Sequence, residues 1–232
     1  MKVLLRIRRF DPAQPDLPAW ATYDLELDPH STLLDALHRI KAEQDSTVSF
    51  RRSCGMGICG SDAMQVNGRN RLACKVLMYT LGPVVTVEPL KGLAPLRDLV
   101  VDLDPFFANL KAVKPWLIND NPPPARERLQ SPEERERYDD TTKCILCAAC
   151  TTACPPFWND PSFVGPAAIV NAHQYIYDSR DEGTAERMAA LTGPKGIFRC
   201  RVVFNCTECC PRDIKITDAI EQLKRDALKG AP

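Results

Sequence analysis

Net charge is the first thing this sequence lacks: 30 lysines and arginines meet 30 aspartates and glutamates. Without a basic excess there is no electrostatic footprint for a polyanion, so nucleic acid is not an expected partner. Long apolar runs are missing too. No stretch approaches the roughly 20 residues that span a bilayer. The opening MKVLLRIRRF is broken by Lys2, Arg6, Arg8 and Arg9, which leaves no apolar core of signal-peptide length. The expected setting is the cytosol, where thiols stay reduced. Histidine is scarce, at three, and glycine is outnumbered by proline, 11 to 20, which points to stiff connections between short elements. An apolar fraction of 44% with 26% charged residues excludes wholesale disorder.

Cysteine is abundant instead. Eleven is an odd number, so a complete disulfide set cannot use them all, and a reducing compartment argues for metal. They form three groups: Cys54, Cys59 and Cys74; Cys144, Cys147, Cys150 and Cys154; Cys200, Cys206, Cys209 and Cys210.

Residues 1–100 read as a small α/β domain. Val3, Leu5 and Ile7 alternate with charged or solvent-side positions, as do Tyr23, Leu25 and Leu27, giving two half-buried strands. Thr32 and Asp35 have capping-box spacing ahead of a stripe of Leu33, Leu34, Leu37 and Ile40. The glycine-rich loop RRSCGMGICGSDAM follows, then a hairpin at Asn67-Gly68 and a closing strand from Val84 to Glu88. That order predicts a β-grasp architecture. A helix at Asp104-Pro105 and the linker NDNPPPARE occupy 101–130, and 131–232 reads as helical. Ser131-Pro132 is a cap with proline at the first helical position. Ala167 to Tyr177 carry an apolar face, and Thr217 is expected to cap a last helix with Ile220, Leu223, Ala227 and Leu228 on one side.

From Cys144 to Pro155 the spacing C-x2-C-x2-C-x3-C-P is complete. This is the bacterial ferredoxin run, in which three close thiolates hold one cubane and the fourth reaches to another cluster. A structural zinc site also uses paired cysteines but fits four clustered thiolates poorly. The last group is an incomplete copy: Cys200, Cys206 and Cys210-Pro211 keep their places, and Val203 stands at the middle position. With the fourth cysteines exchanged, Cys144, Cys147, Cys150 and Cys210 hold a [4Fe–4S] cluster. Cys154, Cys200 and Cys206 are left with three thiolates, which predicts a [3Fe–4S] cluster. Cys209 is the remainder; it is read as a buried bystander because adjacent helical residues face different directions, with a fourth-ligand role as the alternative.

The first group follows the plant-type C-x4-C-x2-C…C pattern of [2Fe–2S] proteins, with Cys54 and Cys59 in place, Asp62 at the third position and Cys74 as the fourth. A carboxylate is a harder donor than a thiolate but carries the same charge. Asp62 is thus either a ligand or a near neighbour of the cluster. Gly55, Gly57 and Gly60 allow turns that aim backbone N–H groups at sulfur. His30, His38 and His173 are scattered, which disfavours a Rieske site. With no nucleophile, base pair or phosphate loop beside them, three clusters in series make a wire for single electrons.

The order of these motifs, with CILCAACTTACP, GPAAIVNAHQYIYDSRDE, FNCTECCP and the connecting VVDLDPFFANLKAVKPWL, resembles the iron–sulfur subunit of succinate dehydrogenase and fumarate reductase over nearly the whole chain. An aspartate in the first motif occurs in some members. The resemblance implies an α+β chain: a β-grasp [2Fe–2S] ferredoxin domain, then an all-α helical ferredoxin domain with two cubane-type clusters. It implies a flavoprotein partner with covalent FAD, membrane-anchor subunits with or without haem, and a peripheral place on the cytoplasmic face of the inner membrane. Electrons from succinate would pass through the three clusters to quinone. The family's quinone pocket maps onto Pro155, Pro156, Trp158 and Arg201. The indole N–H of Trp158 can donate to a quinone oxygen, though packing at the anchor interface is the competing role.

Two departures stand out. The CPPFWND loop is one residue shorter than the double-tryptophan form, and Arg201 replaces a histidine. Arginine cannot release a proton at working pH, so it would act by charge alone. The same relay run in reverse, in a quinol:fumarate reductase, is the first alternative. Subunits serving glycolate oxidation or heterodisulfide reduction usually carry two full cysteine runs, against Val203. A zinc-stabilised interaction module is the alternative of another class.

Overall fold

The structure, a computed structural model, describes residues 1–14, 16 and 19–230; positions 231 and 232, at the end of the expected second domain, lie outside them. The chain divides into two units, Met1–Leu103 with Ile145–Ala153, and Asp104–Cys144 with Cys154–Pro232.

In the first unit, alternation becomes a sheet. β1 (Lys2–Arg8) buries Val3, Leu5 and Ile7 and runs antiparallel to β2 (Trp20–Glu26), pairing Leu5 with Tyr23 and Val3 with Leu25. The α1 helix (Leu33–Glu43) begins at the Thr32–Asp35 capping box and buries Leu33, Leu34, Ala36, Leu37 and Ile40 in the core. β3 (Ala63–Val66) and β4 (Arg69–Leu72) form the hairpin, whose Asn67 and Gly68 have φ of 48° and 78° as a two-residue turn requires. β5 (Val84–Glu88) lies parallel to β1, giving the order β2-β1-β5-β3-β4 of a β-grasp sheet. A short ribbon, β6 (Pro95–Arg97) and β7 (Val100–Val101), ends the unit. Buried Arg9 ties its ends together, bonding Asp98 at 2.9 Å and Asp45 at 2.7 Å.

The second unit is built from helices. α2 (Asp104–Ala112) starts at the expected Asp-Pro, and α3 (Pro132–Glu136) has the Ser131 cap with Glu134 closing the box. α4 (Ala149–Thr152) belongs to the first unit, and α5 (Pro155–Asn159) follows Cys154. The α6 helix (Gly165–Ile176) is buried nearly all round, the mark of a central helix. Beyond it come α7 (Thr184–Thr192), α8 (Asn205–Glu208) and α9 (Ile216–Lys229). Arg187 of α7 and Asp181 form an ion pair with both side chains fully buried. Arg187 also donates to the carbonyls of Lys114 and Trp116, and Asp181 accepts from the Ile118 N–H, so the connecting segment is pinned to α7.

Two details of α9 correct the sequence expectation. Thr217 is not its cap: Lys215 holds that position, and Thr217 is a buried residue of the first turn whose N–H bonds Thr207 Oγ1 at 3.0 Å. The apolar stripe is Ile216, Ala219, Ile220 and Leu223, while Leu228 is 78% exposed.

Candidate metal centres

The loop between α1 and β3 wraps around sulfur. Cys54 Sγ accepts the N–H groups of Met56 and Ile58 at 3.4 Å and of Cys59 at 3.3 Å. Those donors pull its thiol down to about 6, which favours thiolate. Gly57 has φ +77°, a left-handed conformation that favours glycine, and a Cβ there would also meet the Lys75 side chain at 2.7 Å. Cys74 arrives from the 3-10 turn after β4, and its N–H bonds Asp62 Oδ2 at 2.6 Å. Burial pushes the Cys74 thiol up to about 12, and neighbouring Asp62 adds to it. Asp62 is buried, and its Oδ1 has no hydrogen-bond partner. A buried carboxylate oxygen is costly unless something positive meets it. Cys54, Cys59 and Cys74 thus lie close together with Asp62 beside Cys74, thiol and carboxylate groups of the kind that could hold a [2Fe–2S] cluster.

The two later runs share one backbone trace. Cys144 and Cys200 each follow a 3-10 turn, with φ/ψ of −62°/126° and −63°/126°. Two residues on, Leu146 and Val202 both have φ 55°. Two further on, Ala148 at 63°/−4° and Phe204 at 61°/−9° open α4 and α8. Left-handed backbone is expensive for a β-branched or bulky residue, so Val202 and Phe204 are held against their own preference. The incomplete copy thus keeps the backbone conformation of the Cys144 run, with Val203 in the Cys147 place. Cys147 and Cys150 lie in the first unit, and Cys144, Cys154 and the third group in the second.

Within the second unit Cys154, Cys200 and Cys206 stand in mutual electrostatic range. Burial pushes the Cys154 thiol up to about 12, with Cys206 and Cys200 adding to it, and Cys206 is raised by burial and by Cys200. Cys210 is half-buried just after α8. Cys209 is half-buried rather than buried, its Sγ 3.6 Å from the Cys206 carbonyl. Sequence reasoning missed two residues. Thr217 Oγ1 lies 3.7 Å from Cys206 Sγ and 2.8 Å from Thr207 Oγ1. Asn171 Nδ2 lies 3.5 Å from Cys144 Sγ. The available signal was an amide directly after the apolar run Ala167–Val170 of α6.

Of the quinone candidates, Pro155 and Pro156 form the first turn of α5, fully buried Phe157 anchors it, and Trp158 is half-buried. Arg201 is exposed. An ion pair at 3.0 Å between Arg199 and Asp160 joins the Trp158 loop to the run that starts at Cys200. Beside it Phe198, Val202, Val203 and Phe204 leave an apolar surface in the open. His173 is buried between Thr141 and Gln222, while His30 and His38 make edge contacts with Tyr79 and Phe50. Among the described residues no three His, Cys, Asp or Glu side chains gather closely enough to hold a single metal ion, and no helix is long and apolar enough to cross a membrane.

Known proteins agree with this layout. Residues 4–108 match the model of a 2Fe-2S iron-sulfur cluster binding domain, and residues 136–211 that of a 4Fe-4S dicluster domain. The succinate dehydrogenase iron-sulfur subunit of Coxiella burnetii is 40% identical over 226 residues, 96% of each chain. That of Paracoccus denitrificans is 42% identical over 94% of this chain and 85% of its own. A chain of the Mycobacterium smegmatis Sdh1 complex in the apo form superposes with a TM-score of 0.86 at 28% identity, covering 99% of this chain and 96% of that one. These matches set the zinc alternative aside. The chain belongs to the family of succinate dehydrogenase iron–sulfur subunits.

Proposed function

We propose that this chain is the electron relay of a succinate:quinone oxidoreductase, taking single electrons from the FAD of a flavoprotein subunit and delivering them to quinone. The observation that carries the reading is the backbone shared by Cys144–Cys150 and Cys200–Cys206, strained residues included. Its domains are the β-grasp part at 1–100, the connection at 101–130 and an all-α helical ferredoxin part at 131–232.

In this reading Cys54, Cys59, Asp62 and Cys74 hold a [2Fe–2S] cluster, and Cys144, Cys147, Cys150 and Cys210 a [4Fe–4S] cluster. Cys154, Cys200 and Cys206 hold a [3Fe–4S] cluster, with Cys209 outside all three sets. Bound clusters supply one-electron redox steps at potentials set by charge, exposure and hydrogen bonds to sulfur. The protein's own groups hold the thiolates, exclude water and aim N–H donors at sulfur. Met56 and Ile58, exposed on the first cysteine loop, give the flavoprotein an apolar contact beside Cys54 and Cys59. Phe198, Val202, Val203 and Phe204 give the membrane-anchor subunits a comparable contact beside Cys200 and Cys206. In this reading Trp158 donates its indole N–H to a quinone oxygen, Pro155 and Pro156 start its helix, and Arg201 contributes positive charge. The complex sits on the cytoplasmic face of the inner membrane.

Purification from membranes tests this. The chain should be brown and copurify with a flavoprotein and small hydrophobic subunits. Its iron and acid-labile sulfide should match one two-iron, one four-iron and one three-iron cluster. A colourless, zinc-containing preparation would sink the reading.

A further inference from the structure

Asn171 is a half-buried residue of α6, flanked by buried Val170 and Ala172. A half-buried amide loses part of its hydration unless its N–H groups find acceptors. Both do: Asn171 Nδ2 donates to the Ala167 carbonyl at 2.8 Å and to Cys144 Sγ at 3.5 Å. The Ala167 bond fixes the orientation, because the flipped amide would set two carbonyl oxygens against each other. Nitrogen therefore faces sulfur.

We propose that Asn171 is a positioning residue for the four-iron cluster, whose N–H···S hydrogen bond to Cys144 raises the cluster's reduction potential. The proposal rests on the reading of Cys144 as a ligand of that cluster. Reduction adds one electron, supplied from the flavin side and passed on toward quinone, and Asn171 exchanges no proton in the step. The added charge spreads onto the sulfurs, so a donor aimed at one of them stabilises the reduced form more than the oxidised form. At Cys54 the donors are backbone amides, which no substitution removes cleanly. Asn171 offers the same interaction from a side chain.

The test is a redox titration of the intact complex, followed by EPR, for the wild type, Asn171→Leu and Asn171→Asp. Leucine keeps the volume and removes the donor, and aspartate sets an anion against the thiolate. Each variant should favour the oxidised four-iron cluster at the wild-type midpoint by up to about tenfold, which is 59 mV for a one-electron couple. The two-iron and three-iron midpoints should stay in place. An unchanged four-iron midpoint in fully loaded Asn171→Leu overturns the proposal. If the variants lose the cluster, wild type labelled with ¹⁵N in the asparagine side-chain amide decides. Pulsed EPR of the reduced cluster should show coupling to that nitrogen, and its absence overturns the proposal. Lack of any four-iron signal in the wild type, with iron and sulfide to match, would instead defeat the ligand assignment.

Discussion

Gly60 and Cys147 touch so closely that no side chain fits between them: a Cβ on Gly60 would stand 2.6 Å from Cys147 Cβ and 2.9 Å from its Cα. Both belong to the first unit, which takes in Ile145–Ala153. The loop that carries Cys59 is thereby in contact with a cysteine of the next group.

Gly60→Ala should break this contact. Its φ of +69° costs an L-residue about 1–2 kcal/mol by itself, and the obstructing atoms include backbone that cannot swing away. Gly82→Ala is the control, with φ +82° and nothing within 4 Å. Thermal unfolding of the loaded chain should show a larger loss for Gly60→Ala, with altered EPR of the two-iron cluster. Equal losses would mean that strain alone matters at Gly60.

Asp62 supplies an unpartnered Oδ1 beside Cys74. Replacement by cysteine should keep the two-iron cluster and change its EPR spectrum, because one iron exchanges an oxygen donor for sulfur. Asp62→Asn removes an anionic donor and should raise the midpoint or empty the site. A spectrum of Asp62→Cys identical to wild type would place the carboxylate outside the ligand set.

At Val203 the backbone is already that of a four-cysteine loop, with φ of 55° before it and 61° after it. Val203→Cys should therefore convert the three-iron cluster to a four-iron one, and the oxidised-state EPR signal should disappear. Survival of that signal would show that the two runs are wrongly aligned.

Arg187→Met leaves Asp181 buried without its partner and frees the carbonyls of Lys114 and Trp116. Breaking a buried pair from one side costs about 3–5 kcal/mol. Denaturant unfolding should register that loss, and proteolysis should cut the 114–118 segment faster.

Burial lowers the His173 pKa below its ordinary value of 6.5. The unfolded chain then binds a proton before the folded one does, so stability falls as pH drops below about 6.5. Between pH 7.5 and 5.5 the wild-type melting temperature should fall more steeply than that of His173→Gln. Parallel curves would show that His173 contributes nothing to the acid side.

Much of the chemistry was legible in one dimension. Cysteine spacing is read directly from the sequence, because a cluster fixes how far apart its ligands stand along a local loop. The irregularities at Asp62 and Val203 were visible for the same reason, and alternation and capping pairs located β1, β2, α1 and the Asn67-Gly68 hairpin. Contacts between distant residues were not legible. Nothing in the sequence places Asn171 against Cys144, Gly60 against Cys147, or Arg187 against the carbonyls of Lys114 and Trp116. Thr217 was misread as a cap because its value lies in a hydroxyl turned toward Thr207 and Cys206, which local pattern does not encode. The sequence by itself determined the cysteine spacing and, through it, the family. Tertiary packing decided which groups surround those cysteines, because burial and hydrogen bonding depend on segments that are far apart in the chain.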